Sequence, residues 1–526
     1  MKTRRKTGLG VRMGAVLGCS ALSLSMGAGA QEDQGFIPLE PLEGPPPRVW
    51  FEPRVTMGLS VRNTGSRNSP RTRIEERMAF SPGISGVLNT PRIQGFLDYE
   101  LTSAVYPQNE KKGRISHLLE TQASVNAWDN RAFVDLGASV RQRAISLFDD
   151  PGYRRSSEQT AESTFLQVSP YLVGRLGGLA DYQLRYSAQG INMGSDELPG
   201  MQVQTASARI ASPRSGAPVG WLLESDAQAV DHELGRDTRS DSARAGLVFR
   251  PTDEIALTLT RGYENNDILT LQRQRYDTRG VQLDWRPGQR TRLSAGAQDR
   301  YFGRGHDLSL QHRTGRTVWR YTDTRGVSNS GLQANAAPPL RLSEFLGQRL
   351  RSNHPDWDEG RLNQAVDALL QLEQLNPYAD ALLFPTFLSS TATLQRSQSL
   401  SVSLSGVRSR LTLAYLRNDM RRLPAPLGDI AAVVDDFRTN TTVQQKGWTA
   451  NLSHRLTPVM TGNLGVSQRN SVGDVDSRRT RALNLGVATR LSPRTDASVQ
   501  VNFARHSGNF RPYRDTGMSA QVVYRF

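Results

Sequence analysis

Cysteine is almost missing from these 526 residues: Cys19 is the only one. It falls inside an N-terminal segment that reads as a removable leader. No disulfide framework can therefore hold the rest of the chain, and a small disulfide-built secreted domain is excluded. Lysine is nearly as scarce. Lys111, Lys112 and Lys446 are the only ones beyond the leader, so basic charge rests on arginine. Long apolar runs are missing too: no later stretch approaches the roughly 20 residues of a membrane-spanning helix. His117, His232, His306, His312, His354, His454 and His506 are scattered, without metal-ligand spacing or a completing acidic cluster. Gly177-Gly178 lacks the strand–loop–helix setting of a phosphate cradle. Acidic pairs such as Asp149-Asp150 and Asp435-Asp436 lack EF-hand spacing. The sequence predicts no cofactor, no metal and no catalytic centre.

What is present begins with Lys2, Arg4, Arg5, Lys6 and Arg12, then a mostly small and apolar stretch from Met13 to Met26. Ala28 and Ala30 place small residues where a signal peptidase reads, and Gln31 opens a polar continuation. That order predicts a secretory signal peptide over residues 1–30, cleaved after Ala30. Without its five basic residues the chain carries 60 basic and 50 acidic ones, a net charge of +10. In an exported protein this balance argues against nucleic acid. It points to phosphorylated lipid headgroups and acidic polysaccharide as counter-charges.

A mean hydropathy of −0.50 would suit a soluble protein, but a barrel escapes that inference because only alternate residues of each strand face lipid. The alternation is there. Leu97, Tyr99 and Leu101 alternate with Asp98, Glu100 and Thr102; Val134, Leu136, Ala138 and Val140 alternate with Asp135, Gly137, Ser139 and Arg141. In the last segment Met518, Ala520, Val522, Tyr524 and Phe526 share one face. Period two is the strand signal. Short turns such as Asn89-Thr90-Pro91, Trp128-Asp129-Asn130 and Leu456-Thr457-Pro458 tend to alternate with longer polar loops such as Asn63 to Arg73, Glu264 to Leu271 and Asn418 to Asn440. The expected fold is all-β: a transmembrane antiparallel up-and-down β-barrel of about 22 strands (range roughly 16–24), short turns in the periplasm and long loops outside. Phe526, with Tyr524 and Val522, reads as the last-strand signal for the barrel-assembly machinery.

Two regions fall outside the pattern. Residues 31–48 form a proline-rich lead-in, expected in the periplasm, before a barrel over residues 49–526. Residues 324–390 are far too long for a passive turn. Within them Leu362, Val366, Leu369 and Leu372 fall on one helical face, with Asp358 to cap the start and Asn376-Pro377 to end it. The expectation is a small helical loop insert that plugs the lumen or caps it from outside. On the polar strand faces, Arg141, Arg185 and Arg292 accompany Asp98, Asp135 and Asp284 as candidate lumen residues. Such charges either set a transverse field suited to sugars and ions or bridge one another and stiffen the wall; the sequence leaves both open.

Several local patterns go together: Phe80-Ser81-Pro82-Gly83, the run from Gln94 to Leu101, Ser169-Pro170-Tyr171, the Leu-rich insert, and Leu400 to Gly406 followed by Leu411-Thr412-Leu413. In these features the chain resembles the PEP-CTERM system-associated outer-membrane proteins, found with exosortase and exopolysaccharide gene clusters. The resemblance implies an outer-membrane location near polysaccharide export and brings no functional residues with it. The leading expectation is a β-barrel conduit or structural component serving exopolysaccharide secretion or cell-surface assembly. Its expected partners are outer-membrane lipid and lipopolysaccharide, the barrel-assembly machinery and polysaccharide export proteins. The competing readings are a general porin, an outer-membrane hydrolase with a site not visible in the sequence, and a soluble secreted β protein.

Overall fold

The computed structural model describes residues 48–66, 72–107, 114–144, 146, 148, 160–193, 200–213, 217–233, 236–329, 392–424, 436–509 and 512–526. Ala28, Ala30 and Gln31 of the signal segment, the lead-in up to residue 47, and Leu362, Val366, Leu369 and Leu372 of the expected insert lie outside these residues.

Twenty-two strands follow in order. They are β1 (Arg48–Ser66), β2 (Thr72–Asn89), β3 (Ile93–Val105), β4 (Arg114–Trp128), β5 (Ala132–Ala144), β6 (Thr160–Leu176), β7 (Ala180–Met193) and β8 (Met201–Ala211). Next come β9 (Val219–His232), β10 (Thr238–Thr252), β11 (Ile255–Asn266), β12 (Gln274–Trp285), β13 (Thr291–Arg300), β14 (Gly303–Arg313) and β15 (Thr317–Asn329). The last are β16 (Ala392–Ser405), β17 (Ser409–Arg422), β18 (Thr442–Thr457), β19 (Met460–Gly473), β20 (Ser477–Ser492), β21 (Thr495–Gly508) and β22 (Tyr513–Arg525). Each pairs antiparallel with the next, and β22 returns to β1 over Arg54↔Arg525 to Ser66↔Tyr513, which closes the barrel and removes both sheet edges.

One expected boundary needs correction. Residues 324–329 belong to β15, not to the insert, because Thr324 to Asn329 pair with Ser397 to Ala392 of β16. Several predicted loops are likewise strand: Asn63 to Gly65 pair with β2, and Glu264 to Asn266 pair with both neighbours. These stretches lack apolar alternation because they stand above the apolar band.

Connections are mostly short on one rim and mostly longer on the other, with the tight β13–β14 and β19–β20 connections as exceptions on the long-loop rim and β8–β9 on the short-turn rim. Asp129 and Asn130 take positive φ (38° and 56°) in the β4–β5 turn, the left-handed geometry that Asn and Asp tolerate. The register slips at Asn126/Trp128, Phe249/Thr252, Arg455/Thr457 and Arg490/Ser492 all sit at that same short-turn rim. Apolar side chains point outward between the rims: Met57, Leu59, Leu166, Leu247, Leu259 and Met518 are all more than half exposed in the isolated chain. In water that surface would aggregate; in a bilayer it meets hydrocarbon.

Candidate functional site: the lumen and its mouth

The inner face begins with Arg54 on β1. Its guanidinium reaches past β2 to Asp98 (2.6 Å) and Glu100 (3.2 Å) of β3, and also bonds Ser85. Two features of Phe80-Ser81-Pro82-Gly83 make this possible. Pro82 has no N–H, and the β2–β3 ladder skips Ser81 and Pro82, where the Ser81 and Thr102 hydroxyls bond instead at 2.9 Å. At Gly83 a Cβ would meet the Tyr99 carbonyl at 2.8 Å and Arg54 Nε at 3.2 Å, so only glycine leaves the arginine its path. Ser169-Pro170-Tyr171 interrupts the β6–β7 ladder in the same way. There Tyr171 stacks on Phe133 (5.1 Å), Arg185 lies 4.1 Å over the Tyr171 ring, and Arg185 donates to Asp135 at 2.9 Å.

The same chemistry continues around this wall. Arg141 bonds Glu120 (2.5 Å), Arg244 bonds Glu224 (2.7 Å), and Arg300 bonds Glu264 (2.5 Å) with side chains only 4% and 1% exposed. Asp284 accepts from the Ser294 hydroxyl at 2.9 Å and from Gln282 at 3.3 Å, and Arg292 shares its inner face one pair nearer the turn. Of the six candidate lumen residues, the register brings Asp135 and Arg185 together. Asp98 goes to Arg54, Arg141 to Glu120, and Asp284 to hydroxyl and amide partners.

The wall from β15 to β20 is built differently. Ser397, Ser399, Ser401, Ser403 and Ser405 form the inner face of β16, opposite an outer face that includes Leu400, Val402 and Leu404. Thr322, Thr412, Thr449, Asn451, Ser467 and Asn484 extend this hydroxyl and amide lining to the neighbouring strands. Arg320, Arg410, Arg422, Arg455, Arg469, Arg478 and Arg490 are its charges; no inward position of these six strands holds Asp or Glu.

Across the long-loop mouth, the segment after β5 reaches the far wall. Ser146 donates to Asp436 (2.5 Å), and the Phe148 carbonyl accepts from Arg478 of β20 (3.0 Å). Phe148 is buried with Met420, Phe437 and Val443. Arg478 also bonds His506 and Tyr513, whose rings stack at 4.3 Å. Sequence reading missed this crossing because Phe148 is one aromatic in a polar loop, with no local pattern to mark its partner.

The histidines resolve differently from one another. His306 bonds Asp323 at 3.0 Å, and Arg396 and Gln398 hold the same carboxylate, on the outer surface of the barrel. The outward positions beside His306, Ala297 and Arg325, offer no nucleophile. Ser409 and His454 bond at 2.7 Å as a cross-strand pair, without a carboxylate behind the imidazole among the described residues. No group of three His, Cys, Asp or Glu among the described residues is placed to hold a metal ion.

No protein-family model matches the chain, and no curated protein does. Solved structures similar to it include the FrpB iron transporter from Neisseria meningitidis (F5-1 variant), at 9% identity, covering 90% of this chain and 82% of that one, with a TM-score of 0.46. The siderophore receptor PirA from Acinetobacter baumannii is 9% identical over 90% of this chain and 80% of that one, at 0.41. Pseudomonas aeruginosa OccK2 (OpdF), solved with glucuronate, is 8% identical over 90% and 98%, at 0.35. The architecture decides the location without them. A closed antiparallel barrel of even strand number, with mostly short turns on one rim, mostly longer loops on the other and an apolar exterior, is built for the bacterial outer membrane.

Proposed function

We propose that this barrel is an outer-membrane passage for an acidic, hydroxyl-rich saccharide, serving exopolysaccharide secretion as conduit or surface component. The observation that carries the reading is the β15–β20 wall, where serine, threonine and asparagine rows run beside arginines and no inward position of the six strands is a carboxylate, the edge residue Arg490 reaching Asp496 of β21 at 3.8 Å. Hydroxyls and amides both donate and accept, which matches the hydroxyls of a sugar. Arginine matches carboxylate or phosphate substituents through its planar fork. The opposite wall, where carboxylates already meet arginines, serves as frame. The resemblance to PEP-CTERM system-associated outer-membrane proteins supports the same neighbourhood.

The solubilised full chain should bind oligogalacturonate more tightly than a neutral glucan of equal length, and a deletion strain should lose surface polysaccharide. Equal binding of the two oligomers, with an unchanged surface in the deletion strain, would leave a general porin.

A further inference from the structure

The outer surface above the apolar band falls into three sectors, of which β10 to β17 carry arginines and carboxylates together, paired as Arg279–Asp299, Arg396–Asp323 and Arg417–Asp419. On the described strands β1 to β9, the outward positions of the long-loop half include Glu76, Glu162 and Asp231 and no arginine or lysine. On β18 to β22 the corresponding belt holds Lys446, Arg479, Arg481, Arg505 and Arg514, all exposed, and no outward Asp or Glu. Lys446 is one of only three lysines beyond the leader.

Register makes the cluster sharper. Arg481 stands directly opposite Arg505, and Arg505 directly opposite Arg514, so three neighbouring strands place three guanidiniums in one row. Like charges directly opposite one another destabilise a sheet. Among the described residues no carboxylate relieves them: Arg481 bonds the Gln468 amide at 3.0 Å and Arg479 the Asn470 amide at 3.0 Å. Those amides orient the side chains along the surface without neutralising them.

Below the row the exterior turns apolar at once, through Leu483 and Phe503, then Leu485, Val501 and Met518, then Val487 and Val499. Tyr524 marks the far edge, with Phe526 packed edge-on against it. Arg514 to Tyr524 is ten residues of one strand, which at the usual rise and tilt spans about 25 Å, the height of an outer-membrane apolar band. The arginine row therefore sits where the headgroups of the outer leaflet lie, directly over a surface for acyl chains.

We propose that this face of β18 to β22 is a binding site for a phosphorylated glycolipid of the outer leaflet. Its phosphates bridge Arg481, Arg505 and Arg514, Arg479 and Lys446 flank them, and its acyl chains lie over Phe503, Val501 and Met518. The cation-free β1–β9 sector has no such preference, so the lipid shell is one-sided. The site is on the outside of the barrel and is independent of what passes through the lumen.

The test uses the purified full chain, bisphosphorylated lipid A and the same lipid enzymatically stripped of phosphate. The triple variant Arg481→Gln, Arg505→Gln, Arg514→Gln is compared with Arg290→Gln, Arg408→Gln, Arg494→Gln, which removes the same charge from the short-turn rim. Heat-modifiable gel migration establishes that each variant is folded. The native chain should prefer the bisphosphorylated lipid, and the belt variant should bind it roughly a hundredfold more weakly while the rim variant binds it unchanged. Equal affinity for the stripped lipid overturns the proposal. So does inorganic phosphate competing at the same concentration as lipid A, which would make this a site for the free anion. A dimer of the chain that the belt substitutions dissolve, with no change in lipid binding, overturns it in favour of self-association.

Discussion

The two inner walls of this barrel carry arginine at a similar density per strand and use their arginines in opposite ways. From β1 to β14 the arginines meet carboxylates: Arg54 with Asp98 and Glu100, Arg185 with Asp135, Arg244 with Glu224, Arg300 with Glu264. From β15 to β20 they stand among serine, threonine and asparagine, and the edge residue Arg490 reaches Asp496 of β21 at 3.8 Å. The first wall spends its charge on itself, and its ion pairs tie strands together across the register. The second keeps one sign of charge on a surface of neutral hydrogen-bonding groups. Charge count alone would not separate a frame from a recognition surface; the placement of the carboxylates does.

The contrast is broken most severely at Arg300. Its pair with Glu264 is the most buried on the carboxylate-bearing wall. Replacing Arg300 with Met leaves an uncompensated buried carboxylate, which costs about 3–5 kcal/mol. The temperature at which the folded gel band disappears should fall, and oligogalacturonate affinity at moderate temperature should not. Arg300→Met paired with Glu264→Leu should recover most of the stability. Failure of the double variant to recover would mean that the wall depends on this charge for something other than pairing.

A smaller and opposite result belongs to the other wall. Arg410→Gln with Arg455→Gln should leave the melting temperature nearly unchanged and weaken oligogalacturonate binding about tenfold, at roughly 0.5–1 kcal/mol per solvent-facing cation. The neutral oligomer should be unaffected. A loss of stability equal to that of Arg300→Met would show that these arginines are frame as well, and the distinction between the walls would dissolve.

Much of this was legible in the sequence, and the reason is the strand period. Leu97, Tyr99 and Leu101 face outward and Asp98 and Glu100 inward because a half-lipid, half-lumen strand has to alternate. The Asp135–Arg185 pair was legible only as two charged residues on polar faces, since 50 positions separate them and the register of three strands decides that they meet. Ser81-Pro82-Gly83 carried a signal whose meaning appears only in three dimensions, because the side chain it admits comes from another strand. The crossing of the mouth by Phe148 and the Asp323 carboxylate on the outer surface left no trace in the sequence pattern. Both depend on contacts between distant segments where alternation says nothing.

The smallest effect expected sits just above the arginine wall, in the β19–β20 loop. Asp474 accepts from the Thr441 hydroxyl (2.5 Å) and backbone N–H (2.6 Å), and from the Thr442 N–H (3.3 Å), so it clamps the entry to β18. The Thr441 hydroxyl first, then the two backbone N–H groups, hold its carboxyl below the ordinary Asp value. A carboxyl whose pKa is depressed on folding contributes stability that is complete above its unfolded value near 4 and fades as pH falls through the folded value. Asp474→Ala should therefore lower the melting temperature slightly at pH 7, and the gap from the native chain should narrow in acid below about pH 4. Because this carboxylate is tied to the loop that frames β18 and not to the inner wall, oligogalacturonate binding should stay as it was. An effect on binding larger than the effect on melting would place a carboxylate in the field of the arginine wall after all. The absence of acid from that surface would then no longer explain what it recognises.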